Sequence, residues 1–341
     1  MTGLVSWYSM KFKTIDSKDN KKYKLFKSLY LKKNRDKYKL FLLEGKKLLS
    51  EALNENLDIE NIICTEKFVE NFEFKENFLD KVIILSEKLF KNLTELTNSE
   101  GVITIVNYIE EKKISSKNII CLENVSDPGN FGTIIRTANA FGIKDILTIN
   151  CVDKYNSKVL RATMGAMFRT NIVESEIEKI KELQKDGYRL ISTTLNENSK
   201  FLEEFNFEGK NIVVMGNEAN GVSEEMLNIS NEHLKIDMDN SMESLNVSIA
   251  AALIMYKIFK NWKEVSDTSF LYKIILKLLL IKGSVFEHFL FLYYIYFFVQ
   301  FLNYFNLANA PNGSHGSSST ISSSRAFNHF SSTYFLSTIT S

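Results

Sequence analysis

The stretch LENVSDPGNFGTIIRTANAFG, residues 122–142, decides the fold. It opens at the end of an apolar run, NIICLEN at residues 118–124, of the kind that fills a strand buried on both faces of a parallel sheet. Asp127-Pro128-Gly129-Asn130 is dense in turn formers, and Pro128 is the only proline before residue 311. Over residues 131–141 helical spacing sets Ile134, Ile135, Ala138 and Phe141 on one face and leaves Arg136 about half a turn from it. A strand, a turn and a helix in that order predict Asn130 and Arg136 at the carboxyl edge of an open α/β sheet, where such sheets bind ligands.

Two further blocks follow the same plan. GNEANGVS, residues 216–223, ends the apolar run KNIVVMG. Gly216, Gly221 and Ser223 stand at the offsets of a phosphate-cradling G-x-x-x-x-G-K-[ST] loop, but Val222 replaces the lysine that would neutralise terminal phosphates, which excludes an ATPase. No G-x-G-x-x-G follows any predicted strand, which argues against a dinucleotide fold. Glu218 puts a carboxylate in this glycine turn, an odd choice for an anion cradle but one that suits a cationic or hydrogen-bonding ligand. The third block, MESLNVSIAAALIMYKI at residues 242–258, predicts a helix running to about Trp262. Ser244 reads equally as its N-cap or as a catalytic group. Small and apolar residues from Ile249 through Ile258 fit it to pack on a sheet or on a partner subunit.

In this order and spacing the blocks resemble the three signature motifs of the SpoU (TrmH) family of RNA ribose 2'-O-methyltransferases, a branch of the SPOUT superfamily. The resemblance spans roughly residues 20–263. It implies S-adenosylmethionine as cofactor, a homodimer, and an α/β fold: a parallel-sheet SPOUT domain with a C-terminal trefoil knot, preceded by a small L30e-like α/β domain. Carried over residue by residue, it places Asn130 and Arg136 beside the target ribose and completes the catalytic pocket with Glu218, Ser244 and Asn246. Backbone groups of Gly216, Ile236 and Leu245, with Asn217 and Val247 alongside, would hold the cofactor's adenosine. A guanidinium whose pKa exceeds about 12 is no formal base. Arg136 is therefore expected to stabilise the developing alkoxide electrostatically, with the proton acceptor unassigned. The implied substrate is a ribose in structured RNA, with ribosomal RNA leading and transfer RNA the alternative. A catalytically silent RNA-binding or ribosome-assembly protein is the reading from another class, and the intact motif residues speak against it.

Composition supplies the rest. The net charge is only +1, yet residues 21–47 hold eleven Lys or Arg against two acids, interleaved with Tyr23, Phe26, Tyr30 and Tyr38. Such a stripe can follow phosphates while aromatic rings stack on bases. Lys24, Lys27, Lys32, Lys33 and Arg35 are the candidate RNA contacts, with a merely solvated helix as the alternative. Residues 1–19 read as an arm and 20–109 as the L30e-like domain, with strands expected at 39–43, 59–64, 82–85 and 101–106 and a helix at 45–54. The charged stretch EEKKISSK, residues 110–117, reads as a linker, and 118–264 as the methyltransferase domain. Cys64, Cys121 and Cys151 lack pairing or metal-site spacing, so no metal is expected, and without a signal peptide the cytoplasm is. After residue 264 charge and periodicity vanish together. This tail reads as an adventitious extension, as a helix packed on the core, or as a membrane segment at 289–305, near the lower limit of about 17 residues for a span.

Overall fold

The computed structural model describes residues 12–217, 219–239 and 244–266, with side chains as far as 261. The tail, and every reading of it, lies outside the described residues, as does Glu218. Two sheets organise the chain. The first has five strands, β1 (Lys13–Ile15), β2 (Leu40–Glu44), β3 (Ile59–Thr65), β4 (Val82–Leu85) and β5 (Val102–Asn107), in the order β1-β4-β3-β5-β2. Parallel pairs join β1 to β4 and β4 to β3, while β5 runs antiparallel to β3 and β2. Helices α1 (Lys21–Ser28), α2 (Lys32–Tyr38), α3 (Lys46–Asn54), α4 (Glu66–Glu70) and α5 (Glu87–Leu93) connect and cover them. The expected strands and helix appear within one or two residues of their predicted ends. Lys13–Ile15, assigned from sequence to an arm, instead forms the edge strand and pairs in register with Ile83, Ile84 and Leu85. Three residues, of which only Ile15 is apolar, carry too little hydrophobic alternation to announce a strand.

The second sheet has seven strands, all parallel: β6 (Asn118–Glu123), β7 (Asp145–Ile149), β8 (Asn171–Glu174), β9 (Tyr188–Thr193), β10 (Lys200–Phe201), β11 (Lys210–Met215) and β12 (Glu232–Lys235). Helices α6 (Pro128–Ala140), α7 (Ser157–Thr163), α8 (Ile177–Lys185), α9 (Glu224–Ile229) and α10 (Val247–Ser266) complete it. The order is β10-β12-β9-β11-β6-β7-β8. From β6 the chain steps outward to β7 and β8, then crosses to the other side for β9, so β6 and β11 flank a switch in winding direction. Their sequences explain their central place, because Ile119, Ile120, Cys121 and Leu122 and the facing Ile212, Val213 and Val214 are all fully buried.

Residues 110–117, expected as a linker, are pinned to the second sheet rather than loose. Asp145 Oδ2 accepts from the Ser115 and Ser116 amides at 3.1 and 2.7 Å, and Tyr188 Oη donates to the Ser116 carbonyl at 2.8 Å. One apolar core also runs through both sheets, joining Phe41, Leu43 and Leu49 to Phe131, Val159 and Leu160.

Candidate active site

Motif one leaves the carboxyl end of β6 and motif two that of β11, so the switch in winding brings two distant blocks side by side. Asp127 caps α6, its Oδ1 accepting from the Asn130 amide at 2.7 Å, with Pro128 in the first turn. Ile134, Ile135 and Ala138 are buried as the spacing predicts. Arg136 lies exposed off that face and has no carboxylate partner among the described residues.

Motif two is a turn closed on itself. Asn217 and Gly221 exchange amide-to-carbonyl bonds of 2.9 Å each. A Cβ at Gly216 would sit 2.1 Å from the carbonyl carbon of Gly221 and 2.2 Å from the nitrogen of Val222, so only glycine lets the two arms meet. Asn217 spends its whole side chain on scaffolding. Its Oδ1 accepts from the Ala219 and Asn220 amides at 2.9 and 3.1 Å, and its Nδ2 donates to the Asn124 carbonyl at 2.9 Å, tying motif two to motif one. Val222, in the place of a phosphate-binding lysine, is buried in the core.

A second tie between these motifs escaped sequence reasoning. Glu123, the last residue of β6, is 3% exposed and accepts from the Ser223 amide at 2.9 Å and the Ser223 hydroxyl at 2.6 Å. Charge-assisted bonds of this kind are the strong ones, and they hold the glycine turn against the sheet edge. The available signal was a lone acid closing a run otherwise read as fully buried.

Motif three corrects one expectation. The N-cap of α10 is Asn246, not Ser244: Asn246 Oδ1 accepts from the Ser248 amide at 2.9 Å and the Ile249 amide at 3.4 Å, and its carbonyl accepts from the Ala250 amide at 2.9 Å. Asparagine caps as well as serine does, and burial of Val247 and Ser248 against the core sets the start two residues later. Ser244 is left exposed ahead of the helix. The other half of the Asn246 amide reaches motif one, donating from Nδ2 to Asn130 Oδ1 at 3.0 Å. Blocks separated by more than a hundred residues thus meet through these two side chains.

Of the residues expected around the cofactor, Gly216 and Ile236 leave β11 and β12 at the same sheet edge, with only β9 between those strands. Ile236 is half-buried on the core, Val247 is buried, and Leu245 is 37% exposed just before the helix cap. Close-packed backbone at Gly216 and the half-buried apolar Ile236 at the same sheet edge are the kinds of group that suit an adenosine, which takes backbone hydrogen bonds and an apolar wall. Cys151, near this edge, donates from Sγ to the Leu122 carbonyl at 3.2 Å, and burial pushes its thiol up to about 11, so it stays protonated and is no nucleophile at neutral pH.

The lysine-rich stripe divides. Lys32 and Lys33 are exposed at the start of α2. Lys24 pairs with Asp19 at 2.9 Å, and Lys27 Nζ donates to the Leu93 carbonyl at 3.1 Å. Arg35 is 4% exposed, donates to the Leu29 and Tyr30 carbonyls at 2.8 Å each, and pairs with Asp153. It is therefore withdrawn from any phosphate, because its fork is spent closing the end of α1 against the other sheet. Tyr23 and Phe26 are core residues and cannot stack on bases, whereas Tyr38 is exposed.

Known proteins resemble this arrangement over both sheets. A family model described as the SpoU rRNA Methylase family matches residues 117–256, and one described as an MRM3-like substrate binding domain matches residues 20–104. A 23S rRNA (guanosine(2553)-2'-O)-methyltransferase of Bacillus subtilis is 31% identical over 72% of this chain and 98% of its own length. A tRNA (guanosine(18)-2'-O)-methyltransferase of Aquifex aeolicus is 28% identical over 43% of this chain and 70% of its own length. Among solved structures, an AdoMet-bound rRNA methyltransferase from Sinorhizobium meliloti superposes with a TM-score of 0.64 at 26% identity, covering 72% of this chain and 97% of its own. With the motif turns at the switch point and these similarities together, the chain belongs to the SpoU rRNA methylase family of S-adenosylmethionine-dependent RNA 2'-O-methyltransferases.

Proposed function

We propose that this protein methylates the 2'-hydroxyl of one ribose in ribosomal RNA at the corner where Asn130 and Asn246 meet beside the motif-two turn. That contact is the observation that carries the reading, because it assembles motifs one and three at the switch point where a parallel sheet binds its ligands. S-adenosylmethionine, when bound, supplies an electrophilic methyl group. Gly216, Ile236 and Leu245 with Asn217 and Val247 form the wall that receives it, the last two as scaffold. Arg136, exposed and without an acidic partner among the described residues, sits against the 2'-oxygen in this reading and stabilises charge as it develops there. Asn246 fixes Asn130, and both then orient the ribose; Ser244 and Glu218 complete the pocket.

Ribosomal RNA is favoured over transfer RNA because similarity to the rRNA enzyme runs through both sheets, whereas that to the tRNA enzyme covers 43% of the chain. The first sheet acts as the L30e-like RNA-contacting domain, with Lys32 and Lys33 as its exposed cations. We further read the second domain as carrying a C-terminal trefoil knot and the enzyme as a cytoplasmic homodimer. The dimer reading is supported by an apolar stripe on one side of the last helix, where Ile249, Leu253 and Tyr256 are 52%, 42% and 47% exposed. No helix among the described residues is long and apolar enough to cross a membrane. Mapping ribose methylation across all cellular RNA in a deletion strain tests the substrate: loss of one methyl mark in ribosomal RNA is expected, and loss confined to transfer RNA would replace this reading.

A further inference from the structure

Charged contacts cross between the two sheets at a place that neither the methyl-transfer corner nor the exposed lysines use. Glu44 ends β2 at 5% exposure, accepting from Thr94 Oγ1 within its own domain and from Arg161 Nη1 at 3.5 Å across the junction. Arg169 donates to Glu51 of α3 and to Glu55 at the C-cap of that helix, at 2.7 and 2.9 Å, and Arg35 reaches Asp153. The Tyr155 ring stacks on Phe41 and on Tyr108 with centroids 4.4 and 4.2 Å away. Half-exposed pairs such as Arg169 with Glu55 add little. A buried carboxylate differs, since removing its partner leaves a charge without compensation.

The Glu44 contact continues mechanically toward the motif-one helix. Arg161 belongs to α7, and its neighbour Ala162 packs on Gly132 of α6 so closely that a Cβ at 132 would lie 2.4 Å from the Ala162 Cβ and 3.0 Å from the Val159 carbonyl. The same α6 carries Asn130 and Arg136. A shift of the first sheet would therefore reach Arg136 through two helices that have no slack between them.

We propose that Glu44 and Arg161 are positioning residues that fix the first sheet against the Arg136 helix, so that the enzyme measures the spacing between an RNA anchoring element and the target ribose. This rests on the proposed ribose methylation. The recognised class is folded RNA, in which that spacing is set in advance; a short strand carrying the target alone draws nothing from the junction. Holding two contact points rigidly removes a search that a hinged domain would have to repeat at each encounter, and small misplacements at a reacting centre cost heavily.

The test compares wild type, Glu44→Gln, Arg161→Gln, the double variant and Arg161→Lys on in vitro transcribed large-subunit ribosomal RNA and on a short oligonucleotide centred on the methylated ribose. On the folded RNA each single glutamine variant is expected to lose about tenfold in kcat/KM, mostly in KM, and the double variant to lose no more than the worse single one. Arg161→Lys should keep most of the activity, S-adenosylmethionine affinity should not change, and the oligonucleotide rates should stay within about twofold of wild type. Equal losses on both RNAs, additive losses, or none would overturn the proposal. If Glu44→Gln does not fold, Arg161→Gln against Arg161→Lys decides by the same readouts, Arg161 being 31% exposed. Failure of wild type to methylate either RNA would instead refute the proposed function itself.

Discussion

The proposed methyl-transfer corner and the lysine-rich helices α1 and α2 both read as functional from sequence, and they differ in what the structure does with the named residues: it joins Asn130 to Asn246 and Asn217 to the end of β6, but disperses the lysines. In the corner, backbone demands and chemistry coincide: Gly216 must be glycine for its turn to close, and Asn246 both caps α10 and holds Asn130. Gly216, Asn217 and Asn246 are each fixed by local geometry, so there a pattern in the sequence translates into a place in space. In the helices the pattern was charge alone, and charge does not say which way a side chain faces. Arg35 turned inward to Asp153, Lys24 paired with Asp19, Lys27 reached the Leu93 carbonyl, and Lys32 and Lys33 remained exposed. Spacing tied to backbone geometry is the stronger guide to a site, and a run of like charge must be sorted by burial before it is assigned one.

Substitutions at the two regions should therefore separate cleanly. The largest effect is expected at Arg136: Arg136→Ala should lower the methyl-transfer rate by about a hundredfold or more while leaving S-adenosylmethionine affinity unchanged in calorimetry. A mutant close to wild-type rate would remove the chemical distinction between the regions. Leu253→Asp places a charge in the exposed stripe of the last helix and should turn a dimer into a monomer in sedimentation at micromolar concentration. An unchanged sedimentation coefficient would mean the stripe is not the interface.

At the lysine-rich helices, Lys32→Glu with Lys33→Glu should weaken RNA binding and reduce the slope of log affinity against log salt by about 0.7 for each phosphate no longer neutralised on single strands. Arg35→Ala should act differently, lowering the melting temperature because Asp153 is left without its partner. If Arg35→Ala changed only the salt slope, its buried placement would be wrong.

Asn246 sharpens the comparison from the other side. Asn246→Ala is expected to cost about 1 kcal/mol of stability through removal of the cap. Asn246→Asp keeps a capping oxygen but loses the donor to Asn130, so it should stay stable and lose rate. Equal melting temperatures and equal rates for the two variants would dissolve the dual role.

The smallest effect concerns Asp145, which fastens residues 115 and 116 to the second sheet. Burial alone would raise its carboxyl, but hydrogen bonds from Ser116, Asn171 and Ser115 outweigh burial and hold it below the usual 3.8. A group lowered on folding contributes fully above its unfolded value and loses that contribution as the pH falls through the folded one. The difference in melting temperature between wild type and Asp145→Asn should accordingly be largest near neutrality and shrink as the pH drops below about 4. A constant difference would show that shape rather than ionisation matters there.

Much of the architecture was readable because strand stretches such as IVVM and VIIL are apolar throughout and are followed by glycine or turn residues. What sequence could not reveal depends on contacts between distant segments. Glu123 gains its meaning only when β6 and β11 become neighbours and Ser223 falls within reach. Asp153 and Arg161 likewise look like ordinary surface charges until the first sheet docks on them. The cap of α10 was misplaced by two residues because serine and asparagine are equivalent at that position and only tertiary burial chooses between them.

The central claim, ribose methylation at the Asn130–Asn246 corner, is tested most directly by incubating the full chain with S-adenosylmethionine carrying a labelled methyl group and unmodified ribosomal RNA, then locating the label by nucleoside mass spectrometry. One labelled ribose 2'-oxygen is expected with wild type and none above background with Arg136→Ala. Label on a base, or label transferred equally well by the Arg136→Ala variant, would contradict the claim.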